Sequence, residues 1–128
     1  MTQNVRAWLA LCVGVLLVCP PTFAHHGTSA YDMNTLVTLK GTITEFDLTN
    51  PHSIIYFDVT DDKGDVVHWV AESIGPGRAL RVGWTRDSLK PGDHVTITLN
   101  PAKNGRPVGF LQKVVLPNGK ELTIKEPD

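Results

Sequence analysis

The stretch Leu36-Val37-Thr38-Leu39-Lys40-Gly41-Thr42-Ile43-Thr44-Glu45-Phe46-Asp47-Leu48 decides the fold class. Val37, Leu39, Gly41 and Ile43 fall on one side of an extended chain, and Thr38, Lys40, Thr42 and Thr44 on the other. Alternation with period two is the mark of a strand with one buried face. The glycine in its middle points to a bulge or sharp bend at Gly41, of the kind that lets a long strand curl round a small barrel. Asn50-Pro51 then breaks the chain, and Ser53 to Thr60 reads as a second strand. The turn Asp61-Asp62-Lys63-Gly64 leads into a third strand at Val66 to Glu72, completing a hairpin.

Beyond Ser73 the pattern changes. Gly75-Pro76-Gly77 opens a segment in which Arg78 to Val82 can make one or two helical turns before Gly83 stops them. Trp84 and Leu89 are expected as lids over a barrel end. Alternation resumes from His94 to Leu99, with Val95, Ile97 and Leu99 inward, and again from Val108 to Leu116, before a short last strand at Leu122 to Ile124. The expected fold class is therefore all-β: a small five- to six-stranded OB-like Greek-key barrel with a short helical insert between strands 3 and 4. A different small barrel or a sandwich has the same strand count, since pairing order is not written in one sequence.

Before residue 25 the chain has the layout of a leader. Arg6 supplies a positive start, Ala7 to Cys19 is an apolar run, and Thr22 and Ala24 are small residues suited to a cut after Ala24. The run is shorter than the roughly 20 residues a spanning helix needs, and Pro20-Pro21 follows it. The expected organisation is a cleaved signal peptide at 1–24, a histidine-containing arm at 25–35 and a barrel domain at 36–125, in a periplasmic or secreted protein with no stable membrane span after processing. Cleavage removes Arg6 and both cysteines, leaving a slightly acidic chain without thiols. Disulfides, thiolate ligands and cysteine nucleophiles are thereby excluded, and nucleic acid is an unsuitable partner for a chain lacking concentrated positive charge.

The phrases HHGTSAYD at 25–32, TLKGTITEFDLTNPH at 38–52, GWTRDSLKPGDHVTI at 83–97 followed by NPAKNG, and LPNGKEL at 116–122 resemble a family of small exported bacterial proteins catalogued as domain of unknown function 6152. That resemblance implies an exported single domain with a histidine-rich start and an Asn-Pro-His element, here Asn50-Pro51-His52. It implies no catalytic residues, cofactor or substrate.

The chemistry is carried by histidines. Cleavage after Ala24 would place a free α-amine one residue from two imidazoles, at His25 and His26. An amine and imidazole from a terminal histidine plus one more imidazole make a nitrogen-rich, tetragonal set, which suits copper as Cu(II). His25, His26 and His52 are the candidate metal residues, with Tyr31 or Asp32 as alternative ligands closer in sequence. The eleven steps from His25 to Leu36 reach at most about 36–40 Å, and the first strand spans about 36–44 Å. The arm meets His52 readily only if that strand bends. The plain reading of His25-His26 is a frayed, solvated chain end.

His68 and His94 have no neighbour at metal-motif spacing and read as strand histidines. A competing site is Arg78, Arg81, Trp84 and Arg86, within the segment reaching Lys90, which could take a small anionic ligand or a partner protein. Its plain reading is a solvated basic face paired with Asp87 and Asp93. Asp58, Asp61, Asp62 and Asp65 lack the spacing of a calcium loop. No nucleophile sits in a recognisable catalytic context, so the expected class is an exported binding module rather than an enzyme.

Overall fold

The first long strand changes partners along its length. A computed structural model describes residues 27–125, in which β1 spans Val37–Asp47, β2 Ile54–Thr60, β3 Val66–Glu72, β4 His94–Pro101, β5 Val108–Val115 and β6 Glu121–Thr123. A 3-10 turn at Thr28–Ala30 precedes β1, and a single helical element, α1 at Pro76–Arg81, lies between β3 and β4. The first half of β1 pairs antiparallel with β4, from Val37↔Leu99 to Thr42↔His94, and its second half with β2, from Thr42↔Asp58 to Asp47↔Ile54. Thr42 is where the strand belongs to both neighbours.

The irregularity expected at Gly41 lies further along. Register slips between Ile43 and Glu45, so Thr44 is the extra residue. Gly41 serves a different need, because a Cβ there would lie 2.8 Å from the Asp58 carbonyl oxygen and 2.9 Å from Phe57 Cδ2. A residue without a side chain lets β2 press against β1 at the crossover, and the bulge beyond it adds the twist that wraps the sheet.

The β2–β3 hairpin runs in unbroken register from Ile54↔Glu72 to Thr60↔Val66. Its acidic turn is closed internally, with the Asp61 carboxylate accepting from the amides of Lys63 and Asp65 at 2.8 and 2.9 Å. The sheet order is β3-β2-β1-β4-β5-β6, and parallel pairing of β3 with β5, Val70↔Val108 to Glu72↔Phe110, closes the first five strands into a barrel. β6 is appended to β5. This is the expected OB-like barrel with its helical insert in the expected place.

Inward residues of all five barrel strands meet in one core, including Ile43, Ile55, Phe57, Ala71, Ile97, Leu99, Leu111 and Val114. Burying each of the larger side chains contributes about 1.5–3 kcal/mol. Trp84 and Leu89 belong to the same core, with Trp84 packed 5.8 Å from Phe46 and its indole N–H donated to the Thr123 carbonyl at 2.8 Å. Among the described residues no helix is long and apolar enough to cross a membrane.

Candidate functional site

The two ends of the β2–β3 hairpin opposite its turn carry the polar groups that matter. Pairing continues past Ile54 through the Ser53 amide to the Ile74 carbonyl at 3.1 Å and the Ser73 amide to the Ser53 carbonyl at 2.8 Å. That holds His52, after the cis Asn50–Pro51 bond, beside the end of β3. Gly75 crosses so close to Pro51 that a Cβ would sit 2.7 Å from its carbonyl oxygen, which is how the entry to α1 comes to wall the same space.

The arm folds back to the other side of that space. The Asp32 amide donates to the Pro101 carbonyl at 2.9 Å, the Lys103 amide to Ala30 at 3.0 Å, and Lys103 Nζ to the Ser29 carbonyl at 2.9 Å. Buried Asn100 reinforces the seam, donating to the carbonyls of Thr35 at 2.7 Å and Asp32 at 3.3 Å while accepting from Gln112 at 2.7 Å. Tyr31 is thereby buried, its ring 5.8 Å from Phe110. A cavity of about 320 Å³ results, lined by Gly27, Tyr31, His52, Glu72 and Arg78 among others.

Glu72, the last residue of β3, joins the pieces. The Tyr31 hydroxyl donates to its Oε2, and His52 Nδ1 bonds to its Oε1. Burial, with the Glu72 hydrogen bond and charge behind it, pushes the Tyr31 phenol well above its ordinary value, so it stays a neutral donor. A carboxylate has only lone pairs to offer, so the proton of its bond to His52 belongs on Nδ1. In the neutral ring that leaves Nε2 with a free lone pair, and Nε2 makes no hydrogen bond among the described residues. A carboxylate behind a histidine in this way fixes the ring and raises its basicity as a metal ligand.

Of the candidate metal residues, His52 lies on the cavity, and His25 and His26 lie outside the described residues. Gly27 lines the same cavity as His52, brought there by the folding of the arm onto the β4–β5 hairpin. Tyr31 is at the site but its hydroxyl is engaged by Glu72. Asp32 is elsewhere: its carboxylate accepts from the Asn34 amide and the Thr35 hydroxyl, which hold it below the usual aspartate range. Among the described residues no three His, Cys, Asp or Glu side chains converge closely enough to hold a metal alone.

The residues of the competing cluster are placed differently from one another. Arg78 lines the cavity, whereas Arg81 and Arg86 are exposed away from its lining. Trp84 is 2 % exposed, so its ring offers no face for a ligand to stack on. His68 is exposed with Nδ1 2.6 Å from Asp58 Oδ1, and His94 is exposed with Nδ1 3.0 Å from Thr42 Oγ1.

Glu72 is the residue that the sequence reading passes over. Its signal was the hairpin register: a turn at 61–65 joining Thr60 to Val66 sets Glu72 opposite Ile54 and diagonal to His52 on one face. No curated protein and no solved structure matches this chain. Residues 7–112 match a family of unknown function, DUF6152, and the chain belongs to that family.

Proposed function

We propose that the protein is an exported copper-binding module. In this reading the leader is removed after Ala24, and the α-amine and imidazole of His25 chelate the metal. Nε2 of His52 is the distant donor, with His26 the alternative nitrogen. The observation that carries the reading is the hydrogen bond between His52 Nδ1 and Glu72, on a cavity that Gly27 also lines. Successive Cα atoms are about 3.8 Å apart, so His25 is tethered within about 7 Å of Gly27 in whatever direction the chain takes. Export and a periplasmic or secreted location follow from the leader composition and belong to the same proposal.

Glu72 acts on the metal through His52, by holding Nδ1 of the ring. Any His-His terminus chelates copper to some degree, so affinity alone does not distinguish a built site. Electron paramagnetic resonance of the chain beginning at His25, loaded with one equivalent of Cu(II), does. His52→Ala should remove one imidazole from the nitrogen hyperfine pattern and weaken binding, and one extra residue before His25 should abolish the native spectrum. An unaltered spectrum in His52→Ala would refute the reading.

A further inference from the structure

The cavity beside His52 has room for an organic molecule. Its volume of about 320 Å³ falls at the lower end of the roughly 300–1,000 Å³ of small-molecule sites, and a water fills only about 30 Å³. Pro51, Ile74 and Phe110 supply apolar wall, while His52, Glu72 and Arg78 supply polar groups. The charges among these cancel, because the Glu72 carboxylate and the Arg78 guanidinium lie on the same cavity and a neutral imidazole adds none. An anion entering would meet Glu72, a cation would meet Arg78, and either would give up its hydration to do so. Charge balance therefore favours a neutral ligand.

The hydrogen-bonding groups of the lining are of opposite kinds. Neutral His52, with its proton on Nδ1 toward Glu72, offers an acceptor at Nε2, which has no partner among the described residues. Arg78 offers N–H donors and no acceptor. The two residues come from different elements, His52 from the entry to β2 and Arg78 from α1. A ligand that satisfies both carries one donor and one acceptor on separate atoms of a single neutral group. An ester has only acceptors, an alcohol has both on one oxygen, and a primary carboxamide has them on its nitrogen and its carbonyl oxygen.

We propose that the cavity binds a small neutral molecule bearing a primary carboxamide on a short apolar body, its N–H donated to Nε2 of His52, its carbonyl accepting from Arg78 and its body against Phe110 and Ile74. This goes beyond the copper reading and does not rest on it. A metal on Nε2 would exclude the amide, so the two occupants compete for one atom.

The test uses the full chain kept free of metal by a chelator, with benzamide as the probe and the His52 ring nitrogens followed by nuclear magnetic resonance. Benzamide should shift the Nε2 resonance saturably. N,N-dimethylbenzamide, which keeps the carbonyl and the ring but has no N–H, should bind at least about fivefold more weakly, the fold-change expected for one hydrogen bond. Benzoate, which brings a charge and no proton for Nε2, should also bind more weakly than benzamide. Arg78→Ala, a change at an exposed helix position, should weaken benzamide about fivefold while leaving the Nε2 shift at saturation in place. No saturable shift at millimolar benzamide, equal binding of the dimethyl amide or of benzoate, or unchanged affinity in Arg78→Ala would overturn the carboxamide site. None of these results alters the copper reading, which stands or falls on the copper spectrum of His52→Ala.

Discussion

Replacing Tyr31 by phenylalanine removes one oxygen from a ring that is already packed against Phe110, so its effect isolates the bond to Glu72. A hydrogen bond to a charged group contributes about 1.5–3 kcal/mol when deleted. This one is partly buried, so a loss of about 1–2 kcal/mol is expected. For a domain of about 100 residues each kcal/mol moves Tm by roughly 4–8 °C, and urea unfolding near neutral pH would read the change directly. The pH dependence is more specific. An unfolded tyrosine loses its proton near pH 10, at about its reference value, whereas folded Tyr31 holds its proton to higher pH. The unfolded chain therefore releases it first, so the stabilisation is complete below about pH 10 and is lost as the pH rises beyond that. Tyr31→Phe lacks this titration, and its deficit should narrow above about pH 10. Equal stability of the two proteins near neutrality, or a deficit that stays constant from about pH 8 to 11, would refute the reasoning.

Asn100→Ala should destabilise the fold by about 1–3 kcal/mol, the cost of unpartnered buried groups, and should make the arm near Asp32 more sensitive to limited proteolysis. Asp32 titrates below the usual aspartate range because Thr35 and the Asn34 amide bond to its carboxylate. Its contribution is present above the unfolded value and lost as the pH falls, so Asp32→Asn should flatten the acid limb of the stability curve. Gly75→Ala sets a Cβ 2.7 Å from the Pro51 carbonyl oxygen and should cost about 1–3 kcal/mol through forced displacement. Nuclear magnetic resonance of the His52 ring would report whether that displacement reaches the site.

Strand positions were legible because each barrel strand buries one face. Ile43, Ile55, Phe57, Ile97 and Leu111 are fully enclosed at alternating positions, and the turns between strands carry glycine, proline or aspartate. The closure of β3 on β5 was not, because parallel pairing of Val70 with Val108 joins segments far apart in the chain and leaves no local mark. The bulge at Thr44 was misplaced to Gly41 for a related reason. Glycine signals both a bend and a close approach, and here the approach of β2 is what excludes a side chain. His52 stood out by its position after Asn50-Pro51, but a carboxylate ending a strand, as Glu72 does, looks solvated until cross-strand register is counted. Trp84 reads from the sequence both as a lid over the barrel end and as a member of the arginine cluster, and the packing of Phe46 and the Thr123 carbonyl around it decides for the core.

The central claim is that His52 is a ligand held ready by Glu72. A crystal structure of the chain beginning at His25 with one equivalent of Cu(II) tests it most directly. The account predicts the metal about 2.0 Å from Nε2 of His52, a usual metal–imidazole distance, with Nδ1 still on Glu72 and the His25 amine among the donors. Copper held by the terminal residues with His52 outside its coordination shell would contradict it.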